Sequence, residues 1–526
     1  MGTQISIFDG AQRFIIDKPV RLIECFAGYG SQALSLKYLG IPFEHHRIAE
    51  WAVKSIQAYK DMHFPDDTTN YSDGKNYEEV VDYLFTRGIS ADYNKPMTRE
   101  QILRMGEGKC RTVYNNIHAT HNLVSVCNVT AYDLQIKDTD KFTYLLTYSF
   151  PCQDLSNAGL GKGMQRGSGT RSGLLWEIER ILKECDELPQ VLMMENVPEV
   201  IGQKNRAAFG EWIAFLDSMG YKSKWEILNG TDFGMPQNRK RCFMISVLGD
   251  YYYELPQKTG CRLRLKDLLE ENVSEEYYLS DNILKYFIKH TKESEEKGNG
   301  FRFEPTDGDC IAKCVTTRAG GRMDDIFIRD KIHSVVKLPH GYFEGSIERA
   351  PQYSPTIDTG VGNWHTLIEE ENVTQCDCMG YIDKDGFNEM TGRVYGTDAA
   401  SPTVRTFCGG GQEIKVAVPT SDQGGALSAE PLAYDEQNGY IRKDGFVGTL
   451  TTDGSSPKHN NRVVEFMPNM RVRKLTPREC FRLMGVNDTD YDRVAKNQSK
   501  SSLYHLAGDS IITNCLMALF GTMFNC

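Results

Sequence analysis

The chain has 526 residues, with 60 Lys and Arg against 71 Asp and Glu, a net charge of −11, and 40% hydrophobic residues. This composition is globular, which excludes collagen-like, coiled-coil and disordered chains and leaves room for about three units of roughly 150 residues. The acidic balance excludes coating of nucleic acid by bulk charge but permits a local basic cleft, because net charge governs only non-specific attraction.

No run of about 18 apolar residues occurs, and no basic, apolar and small-residue succession opens the chain, so a cytoplasmic protein with no membrane partner is expected. Met1-Gly2 with Ser6 fits the myristoylation pattern literally, without the polybasic patch that stable anchoring needs. Fifteen cysteines without regular spacing suit reduced thiols better than a disulfide scaffold.

The first strong element is Arg21-Leu-Ile-Glu-Cys-Phe26-Ala27-Gly28-Tyr-Gly30-Ser31, an apolar run that breaks into a glycine turn and continues with helical periodicity through Tyr38. About 20 residues on, Arg47-Ile-Ala-Glu50-Trp51 places a carboxylate at the end of a second strand, where a dinucleotide-type fold holds ribose hydroxyls. Residues 64–120 read as an insertion with helices near 77–84 and 99–104 and no visible chemistry. Alternating strand-like and helix-like segments then follow at 123–129, 143–150, 173–183, 191–196, 207–219 and 224–228, the pattern of a doubly wound α/β sheet.

After Tyr252 the pattern changes to short β-rich segments, with a helix near 280–289 and a charged run at 292–297, so a second domain is expected there. Four Thr-containing strands running into glycine loops recur from Cys314, Thr356, Thr403 and Thr449, spaced 42, 47 and 46 residues apart. Gly380-Tyr-Ile-Asp-Lys-Asp-Gly386-Phe and Gly439-Tyr-Ile-Arg-Lys-Asp-Gly445-Phe repeat as well. Two readings stay open: duplicated hairpins as scaffold, or glycine loops that approach a nucleic-acid backbone or base edge. Cys310, Cys314, Cys376 and Cys378 could be offered as a zinc set, but the tight second spacing argues against it and no metal is expected.

Three segments carry chemistry. Ser149-Phe-Pro151-Cys152-Gln153-Asp-Leu-Ser156 follows a buried strand and sets a thiol at its carboxyl end. Val191-Leu-Met-Met-Glu195-Asn196-Val197-Pro198 ends a neighbouring strand in a carboxylate. Gln237, Arg239 and Arg241 alternate into a strand, which puts three fixed donors on one face.

In this order the segments resemble the DNA (cytosine-5)-methyltransferase family, of bacterial or phage type, over about residues 20–60, 122–247 and 471–515. The resemblance implies a Rossmann-like S-adenosylmethionine-dependent catalytic domain at 18–255 and a smaller β-rich target-recognition domain with its supporting segment at 256–497. Residues 498–526 would return to the catalytic domain. It implies cofactor contacts from Phe26, Ala27, Gly28, Gly30, Glu50, Trp51, Asn128, Val129, Pro151 and Ser510, with Asp133 as substitute for Asn128. Catalysis would fall to Cys152, Glu195, Arg239 and Arg241, and substrate contacts to Gln153, Ser156, Asn196, Gln237 and Arg171.

Arg473-Lys-Leu-Thr-Pro-Arg478-Glu-Cys-Phe-Arg482-Leu-Met-Gly485 resembles the family's support for target recognition, and Gly508-Asp509-Ser510-Ile511 its return to the cofactor site. Ser31, Glu24, Asp509 and Asn128 depart from the family's usual glycine, aspartate, asparagine and aspartate without removing the nucleophile or the acid.

The implied reaction is methylation of carbon 5 of a cytosine rotated out of duplex DNA, through a covalent Cys152 adduct stabilised by Glu195 and the arginines. Local positive charge would help populate the Cys152 thiolate. The glycine-rich, cationic segment Gly159–Arg171 reads either as a loop that closes on DNA or as a merely mobile loop. The expected partner is double-stranded DNA, with a monomer acting in a bacterial or phage-infected cell, and a cognate restriction endonuclease is left open. An RNA cytosine methyltransferase on the same scaffold is the nearest rival. A Rossmann-type oxidoreductase would keep the glycine turn and Glu50 but would not need Cys152, Glu195 and Arg241.

Overall fold

The computed structural model describes residues 12–152, 154–155, 163–296, 302–331 and 470–524, with short strands at 378–381, 393–395, 415–416, 432–435, 440–442 and 462–464. Gln153, Ser156, residues 159–162, Cys376 and most of the repeated segments beyond Thr356 lie outside the described residues.

A minor strand β1 (Gln12–Arg13) precedes six strands that form one sheet: β2 (Val20–Cys25), β3 (Phe43–Ala49), β4 (Thr143–Tyr148), β5 (Val191–Asn196), β6 (Tyr221–Asn229) and β7 (Lys240–Leu248). Their order is β3-β2-β4-β5-β7-β6. β1 pairs in parallel with β8 (Tyr251–Tyr252), apart from this sheet.

Every residue of β4 and β5 is buried, which explains why both read as continuous rather than alternating apolar runs. Successive residues serve opposite faces. Leu145, Val191 and Met193 join one core with Ala33 and Leu36 of helix α1 (Ser31–Tyr38), while Leu146, Leu192 and Met194 join another with Ile178 and Trp212. The first core also takes Leu516, Leu519 and Phe520 near the end of the chain, so the last helix covers the same face as α1.

The doubly wound expectation needs one correction of direction. β2, β3, β4 and β5 are mutually parallel, but β7 is antiparallel to both β5 and β6. The start of β7 therefore lies where the parallel strands end, with Asn196 paired to Cys242.

The expected strand at 123–129 does not form. Val124 takes φ +70°, residues 126–128 make a 3₁₀ turn, and the apolar side chains divide between two cores instead of lining one strand.

After α2 (Val53–His63), the 64–120 insertion holds α3 (Tyr77–Arg87), α4 (Arg99–Met105) and α5 (Glu107–Ala119), the last unforeseen. Asn76 with Glu79 and Thr98 with Gln101 form capping boxes that start α3 and α4. Val80, Leu84, Ile102, Val113 and Ile117 pack with Ile56 of α2, giving the insertion a core of its own anchored on that helix.

The chain after the insertion continues through α6 (Ala131–Leu134), α7 (Leu175–Glu184), α8 (Arg206–Ser218) and α9 (Asp281–Glu296), which carries most of the charged run at 292–297. The closing helices are α10 (Pro477–Leu483), α11 (Asp488–Ala495), α12 (Lys500–Asp509) and α13 (Thr513–Phe524). Among the described residues no single helix is long and apolar enough to cross a membrane.

Two compact units divide the chain, one of residues 1–328 with 474–526 and the other of 329–473. The division falls well beyond the expected 255/256 boundary because residues 256–328 pack with the first unit's core: Leu265, Ala312, Val315 and Ile326 are buried in it. The first of the four repeats, from Cys314, accordingly belongs to the sheet-bearing unit. In the second unit, a three-stranded sheet joins residues 378–381, 393–395 and 415–416, and another joins 432–435, 440–442 and 462–464. Tyr381 of the first Gly-Tyr-Ile repeat and Tyr440 of the second thus lie in strands paired antiparallel to a neighbour.

Candidate active site at the carboxyl rim of the sheet

The four parallel strands deliver their following loops to one rim, as open α/β sheets do. After β2, Phe26 takes φ +61° and Gly28 and Gly30 also lie in the left-handed region. A side chain at Gly30 would come within 2.3 Å of the His63 ring and 2.6 Å of Tyr59, so glycine is required there by space as well as by backbone. Gly28 has nothing within 4 Å of where a side chain would start, which leaves its backbone open to a ligand.

After β3, Glu50 accepts hydrogen bonds from the backbone of Gly28 (2.9 Å) and Ala52 (2.8 Å). These backbone donors leave part of the carboxylate's capacity, about four bonds, unused. The buried group is pushed up to about 7, burial outweighing those backbone donors. Asn122 grips the same residue by its backbone, accepting from the Glu50 N–H and donating to its carbonyl. Sequence reasoning missed Asn122, and only its place directly ahead of an apolar run hinted at it.

Behind the loop, Glu24 is fully buried, accepts from Tyr59 Oη (2.5 Å) and Ala33 N (3.3 Å), and is pushed up to about 7 by burial. Ser31, in the place of a usual glycine, receives the backbone N–H of Ile511 at 3.4 Å and so helps seat the chain's return.

After β4, the Pro151-Cys152 turn is held from two sides. Asn196 Nδ2 donates to the Phe150 carbonyl (2.8 Å) and Ser172 Oγ to the Pro151 carbonyl (2.6 Å). Cys152 is half-buried. Burial pushes its thiol up despite the nearby Arg241 guanidinium, so the expected help from positive charge is present but outweighed.

Glu195, at the end of β5, lies 3.1 Å from Arg241 Nε. The antiparallel direction of β7 is what brings this arginine to the rim. Burial raises the Glu195 carboxyl, opposed by Arg241 and Arg239.

The three donors expected on one face separate. Arg241 faces Glu195. Arg239 is buried and donates to the carbonyls of Val315, Gly508 and Ser510 and to Cys314 Sγ, so it braces the site from behind. Gln237 is fully buried, donating to the Leu483 carbonyl and accepting from Val315 N. Its expected substrate contact is corrected to a structural one: Gln237 and Arg239 precede β7, so the period-two alternation that would put them on one face with Arg241 does not extend to them. Cys314, noticed in the sequence only as part of a repeat and a zinc candidate, is pulled down by Arg239 and Arg241 against burial.

Other expected contacts move. Asn196 is buried and spent on the Pro151-Cys152 turn. Asn128 is exposed and directs its amide at the carbonyls of Thr86 and Arg87, both at 3.4 Å, and Asp133 caps α6. Val129 is in the core behind the sheet. Arg171 is tied to Asn94 Oδ1 (2.8 Å) and lies 3.6 Å from Asp154. Phe26, Ala27, Trp51 and Ser510 lie along the same rim or its flank, with Ser510 supporting Arg239 through its carbonyl.

Comparison with known proteins gives the arrangement a context. Residues 104–525 match the family described as C-5 cytosine-specific DNA methylase. The orphan methyltransferase M.SssI of Spiroplasma monobiae is 38% identical over 286 residues, which are 54% of this chain and 72% of that protein. The type II methyltransferase M2.ScrFI of Lactococcus lactis subsp. cremoris is 38% identical over 270 residues, 50% of this chain and 71% of the relative. The solved structure of Entamoeba histolytica methyltransferase EhMeth is 12% identical and covers 97% of this chain and 99% of its own, with a TM-score of 0.47.

Proposed function

Since the chain belongs to the C-5 cytosine-specific DNA methylase family and is a DNA (cytosine-5-)-methyltransferase, we propose that the rim described above carries out the transfer with the following division of labour. The observation that carries the assignment is the Cys152 turn beside the Glu195–Arg241 pair, on adjacent strand ends.

Cys152, once deprotonated, adds through sulfur to carbon 6 of a cytosine rotated out of the duplex, opening the carbon 5–carbon 6 double bond. Glu195, whose buried carboxyl retains its proton more readily than an exposed one, donates to ring nitrogen 3 and receives the exocyclic amine. Arg241 donates to the ring carbonyl, and Arg239 positions it. S-adenosylmethionine, when bound, supplies an electrophilic methyl on a sulfonium. That methyl would pass to the activated carbon 5 of the Cys152 adduct, and loss of the carbon 5 proton to solvent would then release the Cys152 thiolate.

The residues fit this cofactor: Glu50 retains acceptor capacity for two ribose hydroxyls, and Gly28 leaves its backbone approachable. Trp51 and Phe26 would flank the adenine. The β-rich unit 329–473 is assigned to target recognition, with double-stranded DNA as partner.

Transfer of labelled methyl groups to mixed-sequence duplex DNA, with base-resolution mapping of the product, tests the reading. Labelling at cytosine carbon 5 that disappears in Cys152→Ser supports it. Labelling of RNA but not DNA would overturn it in favour of an RNA enzyme.

A further inference from the structure

The insertion reaches the active rim. Its chain between α3 and α4 runs alongside the Glu50-Trp51 segment, with Ser90 N donating to the Trp51 carbonyl (2.8 Å) and Val53 N to the Ser90 carbonyl (2.9 Å). Ser90 Oγ then closes the tip by donating to the Lys95 carbonyl (2.8 Å). At the tip, Tyr93 takes φ +63°, a backbone state that a bulky residue adopts only where its surroundings require it. Its hydroxyl is 3.1 Å from Ser55 Oγ on α2, and its ring stacks on His505 of α12 with centroids 4.3 Å apart and planes 13° from parallel.

His505 Nδ1 lies 3.2 Å from Asp509 Oδ2, immediately before Ser510. The neighbouring Asn94 accepts from Arg171 (2.8 Å), whose own N–H donates to Asp154 (2.9 Å), two residues beyond Cys152. Burial, and to a smaller extent the charges of Glu50 and Asp509, push the Tyr93 hydroxyl up. One six-residue tip therefore touches the cofactor-side helix, the returning helix and the segment after the nucleophile.

We propose that residues 90–95 are a strap across the S-adenosylmethionine cleft, in which Tyr93, stacked on His505 and bonded to Ser55, walls the cofactor in, and Asn94 ties that wall to the nucleophile segment through Arg171. The proposal rests on the cofactor reading above. Tyr93 acts as a positioning residue for cofactor retention and takes no part in the chemistry at cytosine.

Calorimetric titration with S-adenosylmethionine and with S-adenosylhomocysteine, alongside methyl-transfer kinetics, tests it on the full chain. Tyr93→Ala removes the wall and is expected to raise Kd for both ligands and KM for the cofactor about tenfold, with kcat at saturating cofactor within about twofold. Tyr93→Phe keeps the stack and loses only the Ser55 bond, and should restore affinity to within about threefold of wild type. Arg99→Ala, which cuts an exposed ion pair to Asp82 elsewhere in the insertion, should change neither constant. Where Tyr93→Ala does not fold, Tyr93→Leu keeps bulk without the ring and carries the same expectation.

Tyr93 variants without the ring that bind both ligands as wild type does would overturn the strap alone. Wild-type protein that binds neither ligand would overturn the cofactor reading beneath it.

Discussion

The two halves of the rim are built on different principles. In the half after β2 and β3, charged and polar groups are satisfied by the backbone: Glu50 by Gly28 and Ala52, and Asn122 by Glu50 itself. In the half after β4 and β5, side chains face one another, with Arg241 against Glu195 and both close enough to Cys152 to shift its thiol. A backbone-satisfied cradle holds a fixed shape ready for a ligand, whereas a set of mutually dependent side chains can change protonation as a reaction proceeds. On the proposed reading the first half serves binding and the second chemistry.

Substitutions in the chemical half should be the more severe. Cys152→Ser is expected to lower kcat at least about 1000-fold while cofactor affinity stays near wild type, checked by label transfer and calorimetry. A comparable loss of affinity would break the division between halves. Glu195→Gln should cost roughly 100-fold in kcat, since the amide keeps the shape but cannot lend a proton. Arg241→Ala sharpens the same point through pH. Removing the charge that opposes burial should move the rate-controlling thiol further up, shifting the rising limb of the pH–rate profile to the alkaline side.

In the binding half, Glu50→Gln should weaken S-adenosylmethionine about tenfold with kcat at saturation little changed, checked by calorimetry and initial rates. An effect of a different kind belongs to Glu24, behind the cradle, and reads out in stability rather than rate. Its carboxyl titrates near 7 folded against an ordinary value of 4.5, so the folded state holds the proton more tightly. Its contribution is therefore fully present below pH 4.5 and lost as pH rises through about 7. Denaturant unfolding of wild type across that window should show the decline, and Glu24→Gln should flatten it by up to roughly 3 kcal/mol.

Much of this was legible in the chain. β5 falls on the expected residues 191–196, and β4 occupies most of 143–150, because strands buried on both faces write themselves as unbroken apolar runs. The glycine turn, Glu50, Cys152 and Glu195 were legible because each sits at the end of such a run. The apolar stretch 123–129 misled for the same reason, since hydrophobic length alone does not say whether neighbours will offer a sheet edge or two separate cores. Gln237, Asn196 and Asn128 misled differently: a polar side chain's type does not reveal whether it faces a ligand or closes a loop behind it.

The sequence by itself determined the buried parallel strands β4 and β5 and the order of the motif segments that carry Cys152 and Glu195, because local periodicity and chain order carry that information. Tertiary structure alone decided that β7 runs antiparallel and so delivers Arg241 to Glu195, that Arg239 is held by Val315, Gly508 and Ser510, and that the insertion's tip rests on His505. Those contacts join residues 46 to 412 positions apart. No local pattern encodes them, since they exist only once the cores on both faces of the sheet have fixed where each loop can go.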